Sequence, residues 1–414
     1  MDGIAEYAVR CSMCVIKPQR PSLGPALTAP IPGSANTSLN IIYISHLHPP
    51  AHANLENIGG MQTVSLQLLE HLQRRTDISV FPLVVESPWQ GTELRTLGFL
   101  IKLLGTLPRI IQEQHADVVL FSSMVTAALA PLMRSRVAVP MVTINHGQDV
   151  TLPVRLYQQW VPKVFHHLQG VISVSAATQV ASLERGLHPT KSYVLPNALN
   201  IQPRAYHQPG SREVLESVFQ IHLEGKKLLL SVGRQVKRKG HAWFLQHVLP
   251  KIQQPIVYLM IGQGPETQRL QHLRAQSPYP EQIIIAGQTS AEILQHAYDA
   301  ADLFVMPNIP VAGDMEGFGV VILEANEART PIVASDLEGL QDVVQNGCNG
   351  FKVAPLNAHQ FAQTIDDVLV SKLPSLSNSA YAWVTEQYTW SRVCGQYIEV
   401  LQQVTQTVPP VLYR

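Results

Sequence analysis

Short β-branched runs alternate with helical periodicities along most of the chain. Asn40 to Ser45 (N-I-I-Y-I-S) reads as a buried first strand. A His- and Pro-containing loop follows and ends in Gly59-Gly60, after which Val64, Leu68 and Leu72 mark an amphipathic helix over 61–72. Further strands are expected at Ile78 to Val85, Asp117 to Phe121, Met141 to Asn145, Val171 to Val174 and Tyr193 to Pro196. After a polar stretch holding Pro203 and Pro209-Gly210, a second series starts at Leu228 to Val232. It continues near Ile256 to Ile261, Gln282 to Ala286, Leu303 to Met306 and Ile332 to Ala334. Strands alternating with helices imply parallel sheets covered on both faces. The expected fold is therefore α/β: two doubly wound domains, 39–205 and 206–388, with a cleft between their strand ends. Residues 389–414 supply a last helix, and 1–38, with five prolines and no sustained periodicity, a flexible arm.

Open α/β sheets bind ligands outside the carboxyl ends of their strands, so the loops there are the places to look for chemistry. The first strand leads to a glycine turn and a helix at Gly60, although the G-x-G-x-x-G fingerprint is missing. Asn145-His146-Gly147-Gln148-Asp149 lies past another strand end, which makes His146 a site candidate as well as an ordinary structural histidine. Gly233-Arg234-Gln235-Val236-Lys237-Arg238-Lys239-Gly240 sets four cations within six positions, between a buried strand and a helix from His241. A bidentate Arg and a point-charge Lys at that mouth suit a diphosphate, while a solvated loop is the plainer reading. The next two strands end in Ile261-Gly262-Gln263-Gly264-Pro265 and Ala286-Gly287-Gln288-Thr289, where backbone can meet a nucleotide base.

The densest stretch is 306–334, M-P-N-I-P-V-A-G-D-M-E-G-F-G-V-V-I-L-E-A-N-E-A-R-T-P-I-V-A. Its pattern predicts a helix opening at Glu316-Gly317-Phe318-Gly319, with Glu316 and Glu324 on nearly one face about 12 Å apart along the axis. That is the reach of a nucleoside diphosphate. Its phosphates would lie on the N–H groups of Phe318 to Val320, its ribose near Glu324 and its sugar near Glu316. Two solvated glutamates on a surface helix are the alternative.

Composition narrows the partners. Lys+Arg and Asp+Glu number 30 each in 414 residues, so no overall field draws in nucleic acid. No apolar run is long enough for a membrane span and the N-terminus lacks signal-peptide regions, which points to a cytoplasmic chain. Four cysteines are too few for a disulfide framework, and the lone Cys11-Ser-Met-Cys14 pair is not read as a metal or redox site.

Taken together, these motifs resemble the retaining glycosyltransferases of family GT4, whose GT-B fold faces two Rossmann-like domains across a cleft. The resemblance rests on Gly59-Gly60, His146, V-L-P-N ending at Asn197, V-G-R-Q-V-K-R-K-G, I-G-Q-G-P, A-D-L-F-V-M-P and the E-x7-E element Glu316 to Glu324, over about residues 40 to 405. It implies sugar transfer from a nucleotide-diphosphate donor to a saccharide or lipid-linked acceptor, with no other cofactor and no metal. Asp314-Met315-Glu316 is then only a mimic of a metal-binding D-x-D. By the same resemblance Arg234 and Lys239 hold the diphosphate and Glu324 the ribose. Glu316 with the backbone of Gly317 to Val320 holds sugar and phosphate, Gly60 approaches the phosphate, and His146 stands beside the sugar. Ala198 after Asn197 and the extra Val311-Ala312-Gly313-Asp314 depart from the pattern. The last helix would cross back to the first domain. A same-fold nucleotide-sugar epimerase and a non-catalytic sugar-binding protein are the rival readings.

One stretch points to a surface. Leu94 to Ile111 is mostly apolar but carries Arg95, Lys102 and Arg109 at seven-residue spacing, on nearly one side of a helix. Such a segment suits peripheral contact with the inner membrane face. It equally suits a helix covering the first sheet with its cations in water, and Gly98, Gly105 and Pro108 weigh against a regular helix.

Overall fold

The computed structural model describes residues 38–48, 59–86, 92–133, 135–203 and 208–407. The expected arm, apart from its last residue, and the Cys11 and Cys14 pair lie outside the described residues. Strands β1 (Leu39–His48), β2 (Ile78–Glu86), β3 (Val118–Phe121), β4 (Met141–Asn145), β5 (Gly170–Ser173) and β6 (Ser192–Val194) form one sheet in the order β2-β1-β3-β4-β5-β6. Strands β7 (Lys227–Val232), β8 (Ile256–Ile261), β9 (Ile283–Gly287), β10 (Leu303–Met306), β11 (Ile332–Ser335) and β12 (Gly350–Val353) form the second, ordered β12-β11-β10-β7-β8-β9. Every pairing is parallel. The strand order reverses between β1 and β3 in the first sheet and between β7 and β10 in the second, and such switch points open crevices for ligands.

Both faces of each sheet are buried, which is why the strands read as near-continuous apolar runs. In β1, Ile41 and Tyr43 pack with Val64, Leu68 and Leu72 of helix Gly60–Gln73. Ile42 and Ile44, on the opposite face, pack with Leu103, Leu107 and Ile111 of helix Thr92–Glu113. That second helix is continuous despite Gly98, Gly105 and Pro108. Arg95, Lys102 and Arg109 face solvent, and Arg109 pairs with Glu113 at 2.6 Å. Leu94, Leu97 and Ile101 stay 79%, 55% and 60% exposed on the same helix. Among the described residues no helix is long and apolar enough to cross a membrane.

The last helix, Trp390–Thr407, does return to the first domain. Trp390 donates from Nε1 to Gln67 Oε1 at 2.7 Å and stacks on His71. Val393, Tyr397, Leu401 and Val404 join the core cluster that contains β1 and helix 60–73. Cys394 on this helix and Cys348 are both buried.

Three elements differ from expectation. The helix predicted from His241 runs only to Trp243 before passing into a wider π-type turn, Phe244–Val248, and a tight turn at Leu249–Lys251 that holds Pro250. Strand β12 carries no strong sequence signal because only Gly350 and Val353 are buried in it. The helix predicted to open at Glu316 begins at Val320 instead and runs to Glu327. Gly319 precedes it at φ +85°, a left-handed conformation that breaks the helical path and that glycine adopts without strain.

Candidate active site

The switch point of the second sheet gathers the cationic loop after β7 and the long segment after β10. Lys237–Lys239 forms a single tight turn that swings two of the four cations inward. Lys239 is buried, with Nζ 2.6 Å from Glu316 Oε2. Arg238 Nη1 bonds the same oxygen, its Nε donates to Asp314 Oδ1 at 3.0 Å, and Asn308 Nδ2 donates to Glu316 Oε2 at 3.2 Å. The Glu316 backbone N–H donates to Glu338 Oε2 at 2.5 Å, which fixes the residue from behind. Burial opposes charge on Glu316, but Lys239 and Arg238 outweigh it and hold the carboxyl at about 2, so it is ionised at neutral pH. Burial lowers the Lys239 amine, and Glu316 restores part of that loss.

Glu316 therefore stands in an extended loop before helix 320–327 and not in its first turn. The face-sharing predicted for Glu316 and Glu324 is corrected accordingly. Gly319 is the cause, since its turn aims the loop back toward the cations. Glu324 lies in the helix, half-buried, and accepts from Tyr298 Oη at 2.5 Å. Burial lifts its carboxyl above the usual range and the Tyr298 hydroxyl offsets part of this. Phe318 is buried edge-on against Tyr388, and Gly319 and Val320 form the helix start.

Arg234 is exposed at the mouth of the same loop and makes no ion pair among the described residues. Arg238, which shared the cationic run without being singled out, takes the inward position. Gly264 donates its N–H to Thr267 Oγ1 at 3.0 Å and packs on the backbone of Gln235, while Gln288 is exposed just past β9. Asn197 is buried with an unpartnered Oδ1. Gly60 is the exposed first residue of its helix.

His146 meets this cluster from the first domain. Its backbone N–H donates to Asp149 Oδ1 at 2.8 Å, and Asp149 also accepts from Met124 N–H at 3.2 Å. The ring Nε2 lies 2.9 Å from the Ser122 carbonyl oxygen, which can only accept. Nε2 thus carries a proton and donates it to that carbonyl. A Cβ added to Gly317 would sit 1.8 Å from the His146 carbonyl oxygen, so the two domains touch backbone to backbone here. Asp314 reinforces the junction, since its Oδ1 accepts from Gln148 Nε2 at 3.3 Å as well as from Arg238. Asp149, Asn308, Asp314 and Glu338 were given no role from the sequence, although Asp149 lies three residues past His146 at a strand end and Asp314 opens the D-x-D mimic.

Among the described residues no three His, Cys, Asp or Glu side chains gather as a metal-holding group. The family model for Glycosyltransferase Family 4 matches residues 58–202, and that for Glycosyl transferases group 1 matches residues 215–383. An uncharacterized glycosyltransferase of Methanocaldococcus jannaschii is 29% identical over 181 residues, 43% of this chain and 45% of that relative. The GDP-mannose-dependent alpha-(1-6)-phosphatidylinositol monomannoside mannosyltransferase of Mycobacterium tuberculosis is 25% identical over 71% of this chain and 78% of its own. The D-inositol 3-phosphate glycosyltransferase of Mycolicibacterium smegmatis is 25% identical over 84% and 86%. Among solved structures, sucrose-phosphate synthase of Thermosynechococcus elongatus aligns with TM-score 0.72 at 19% identity, over 89% of this chain and all of that one. The Anabaena protein HepE, solved with UDP and glucose, aligns at 0.66 and 17% identity, over 88% of this chain and all of its own. These likenesses show the fold, GT-B, and the two family models divide the chain between its two sheets. The chain belongs to the family GT4 glycosyltransferases of the GT-B fold.

Proposed function

We propose that the chain moves a hexosyl group from a nucleotide-diphosphate sugar to a hydroxyl of a saccharide or lipid-linked acceptor, with retention of configuration and without a metal. The observation that carries this reading is Glu316, held ionised by Lys239 and Arg238, with the adjoining Gly317 against the backbone of His146. As the bond from sugar C1 to the diphosphate oxygen breaks, positive charge grows on the ring and negative charge on the phosphate. Lys239, Arg234 and the N–H groups of Phe318 to Val320 stabilise the phosphate charge, and Glu316 holds the sugar hydroxyls. The acceptor oxygen bonds C1 on the face the diphosphate leaves, and its proton passes to the leaving phosphate oxygen. Glu324 takes the ribose hydroxyls and the His146 ring stands beside the sugar. UDP- and GDP-sugars are the donors to test first, since relatives carry those nucleotides in their names or structures.

Ribose contacts persist through the reaction whereas sugar contacts change with it, so the two glutamates should separate kinetically. Glu324→Gln is expected to raise donor KM about tenfold with kcat nearly unchanged, and Glu316→Gln to lower kcat with a smaller change in KM. Steady-state kinetics on whichever donor shifts the melting temperature decides it. Equal effects on both constants in both variants would remove the division of labour.

The chain also contacts anionic membrane surfaces from the cytoplasmic side on this reading, in support of a lipid-linked acceptor. Leu94, Leu97 and Ile101 are exposed beside Arg95 and Lys102, a pairing of aliphatic and cationic groups that suits a lipid interface. Sedimentation with anionic but not neutral liposomes is expected at low salt, and its loss when Arg95, Lys102 and Arg109 become Gln. No sedimentation with anionic liposomes would leave the helix as a simple cover for the sheet.

A further inference from the structure

Asp314 stands two residues before Glu316, a second carboxylate in the segment after β10 that the transfer step leaves unused. The local backbone is built to hold it. Gly313 takes a left-handed φ of +75°, and the Asp314 N–H closes the turn onto the Val311 carbonyl at 3.1 Å. The turn rests on the first domain. A Cβ added at Gly313 would stand 3.2 Å from Pro153 Cβ, and the Gly313 carbonyl accepts from Thr151 Oγ1 at 3.5 Å. Asp314 Oδ1 itself accepts from Gln148 Nε2 at 3.3 Å. All three partners belong to the segment that follows β4, so Asp314 is braced from outside its own domain.

The same Oδ1 accepts from Arg238 Nε at 3.0 Å, and Arg238 gives its Nη1 to Glu316 Oε2. One guanidinium therefore bridges the two carboxylates. Because that group is planar and rigid, holding Nε on Asp314 decides where Nη1 points. Without Asp314 the cation keeps its charge and its attraction to Glu316 but loses the contact that fixes its plane. The consequence falls on Glu316. Lys239 Nζ, Arg238 Nη1 and Asn308 Nδ2 all converge on Oε2. Among the described residues no hydrogen bond or ion pair reaches Oε1, which leaves that oxygen for a substrate hydroxyl. How the three donors hold Oε2 sets how Oε1 is presented.

We propose that Asp314 is a positioning residue for transfer: it aims Arg238 at Glu316 and so sets the carboxylate oxygen that meets the donor sugar. This rests on the transferase reading above and adds the residue that holds its key carboxylate in place. The test uses the full chain with UDP-, GDP-, ADP- and dTDP-sugars as donors, scored by nucleotide release, and with the matching nucleoside diphosphates as sugar-free ligands. Asp314→Ala and Arg238→Ala are each expected to lower kcat about tenfold. The double variant should match Arg238→Ala within about twofold, since Asp314 acts through Arg238. In Asp314→Ala the affinity for the nucleoside diphosphate should stay within about twofold, because that ligand lacks the sugar Glu316 holds. Additive losses, about 100-fold in the double variant, would overturn the proposal, as would an unaltered kcat in Asp314→Ala. Nucleoside diphosphate affinity that falls together with kcat would overturn it too, since the loss would then be one of fold. A chain that releases nucleotide from none of the donors would instead refute the transferase reading, and this inference with it.

Discussion

Lys239→Ala is expected to lower kcat by 100-fold or more, about 2.7 kcal/mol of transition-state stabilisation, while the protein remains folded. Lys239 is the buried cation of the cluster, and its removal does two things together. The departing diphosphate loses a fixed positive charge, and Glu316 loses one of its two cationic partners. Arg234→Ala should have an effect of the same order on kcat, because the exposed guanidinium is free to close on the phosphate. It should leave the Glu316 cluster undisturbed. Single-turnover rates with the preferred donor check both variants. If both retain near-unaltered rates, the diphosphate lies elsewhere in the cleft.

The second large effect is expected from Gly317→Ala. The new methyl would stand 1.8 Å from the His146 carbonyl oxygen and 2.7 Å from its carbon, atoms of the opposite domain's backbone. No rotamer change relieves such a contact, so the cleft must open. A drop in kcat/KM of about 100-fold should accompany a larger radius of gyration in solution scattering, because catalytic geometry tolerates little displacement. Gly395→Ala is the control, since nothing lies within 4 Å of its added Cβ and it sits inside helix 390–407. That change should leave rate and radius as they are. An unaltered rate in Gly317→Ala would mean that the touching arrangement is not the one in which transfer occurs.

The sequence disclosed the sheets well because strands buried on both faces, such as β1, β4 and β8, are continuous apolar runs of β length. It disclosed β12 poorly, because Phe351 and Lys352 are only partly buried. The start of helix 320–327 was misread for a specific reason. Phe318, Val320, Ile322 and Leu323 continue a helical spacing backward, and nothing in the letters reveals that Gly319 has turned left-handed. The site was legible as a set of loops and not as a set of contacts. Four cations in Arg234 to Lys239 mark the loop, but only the tight turn at Lys237–Lys239 decides that Arg238 faces Glu316 while Arg234 faces water.

The return of helix 390–407 to the first domain has a consequence for how this molecule can be recombined. Its Val393, Tyr397, Leu401 and Val404 complete a core that begins at β1, so the N-terminal half is built from two separated pieces of chain. A donor-specificity graft from a relative must therefore be cut twice, once between β6 and β7 and again before Trp390. A single crossover would deliver a foreign last helix to a surface shaped for this one, where Trp390 meets Gln67 and His71. Two-cut chimeras should fold where one-cut chimeras aggregate, and modular exchange within the family is then an insertion of the donor half into a continuous acceptor half.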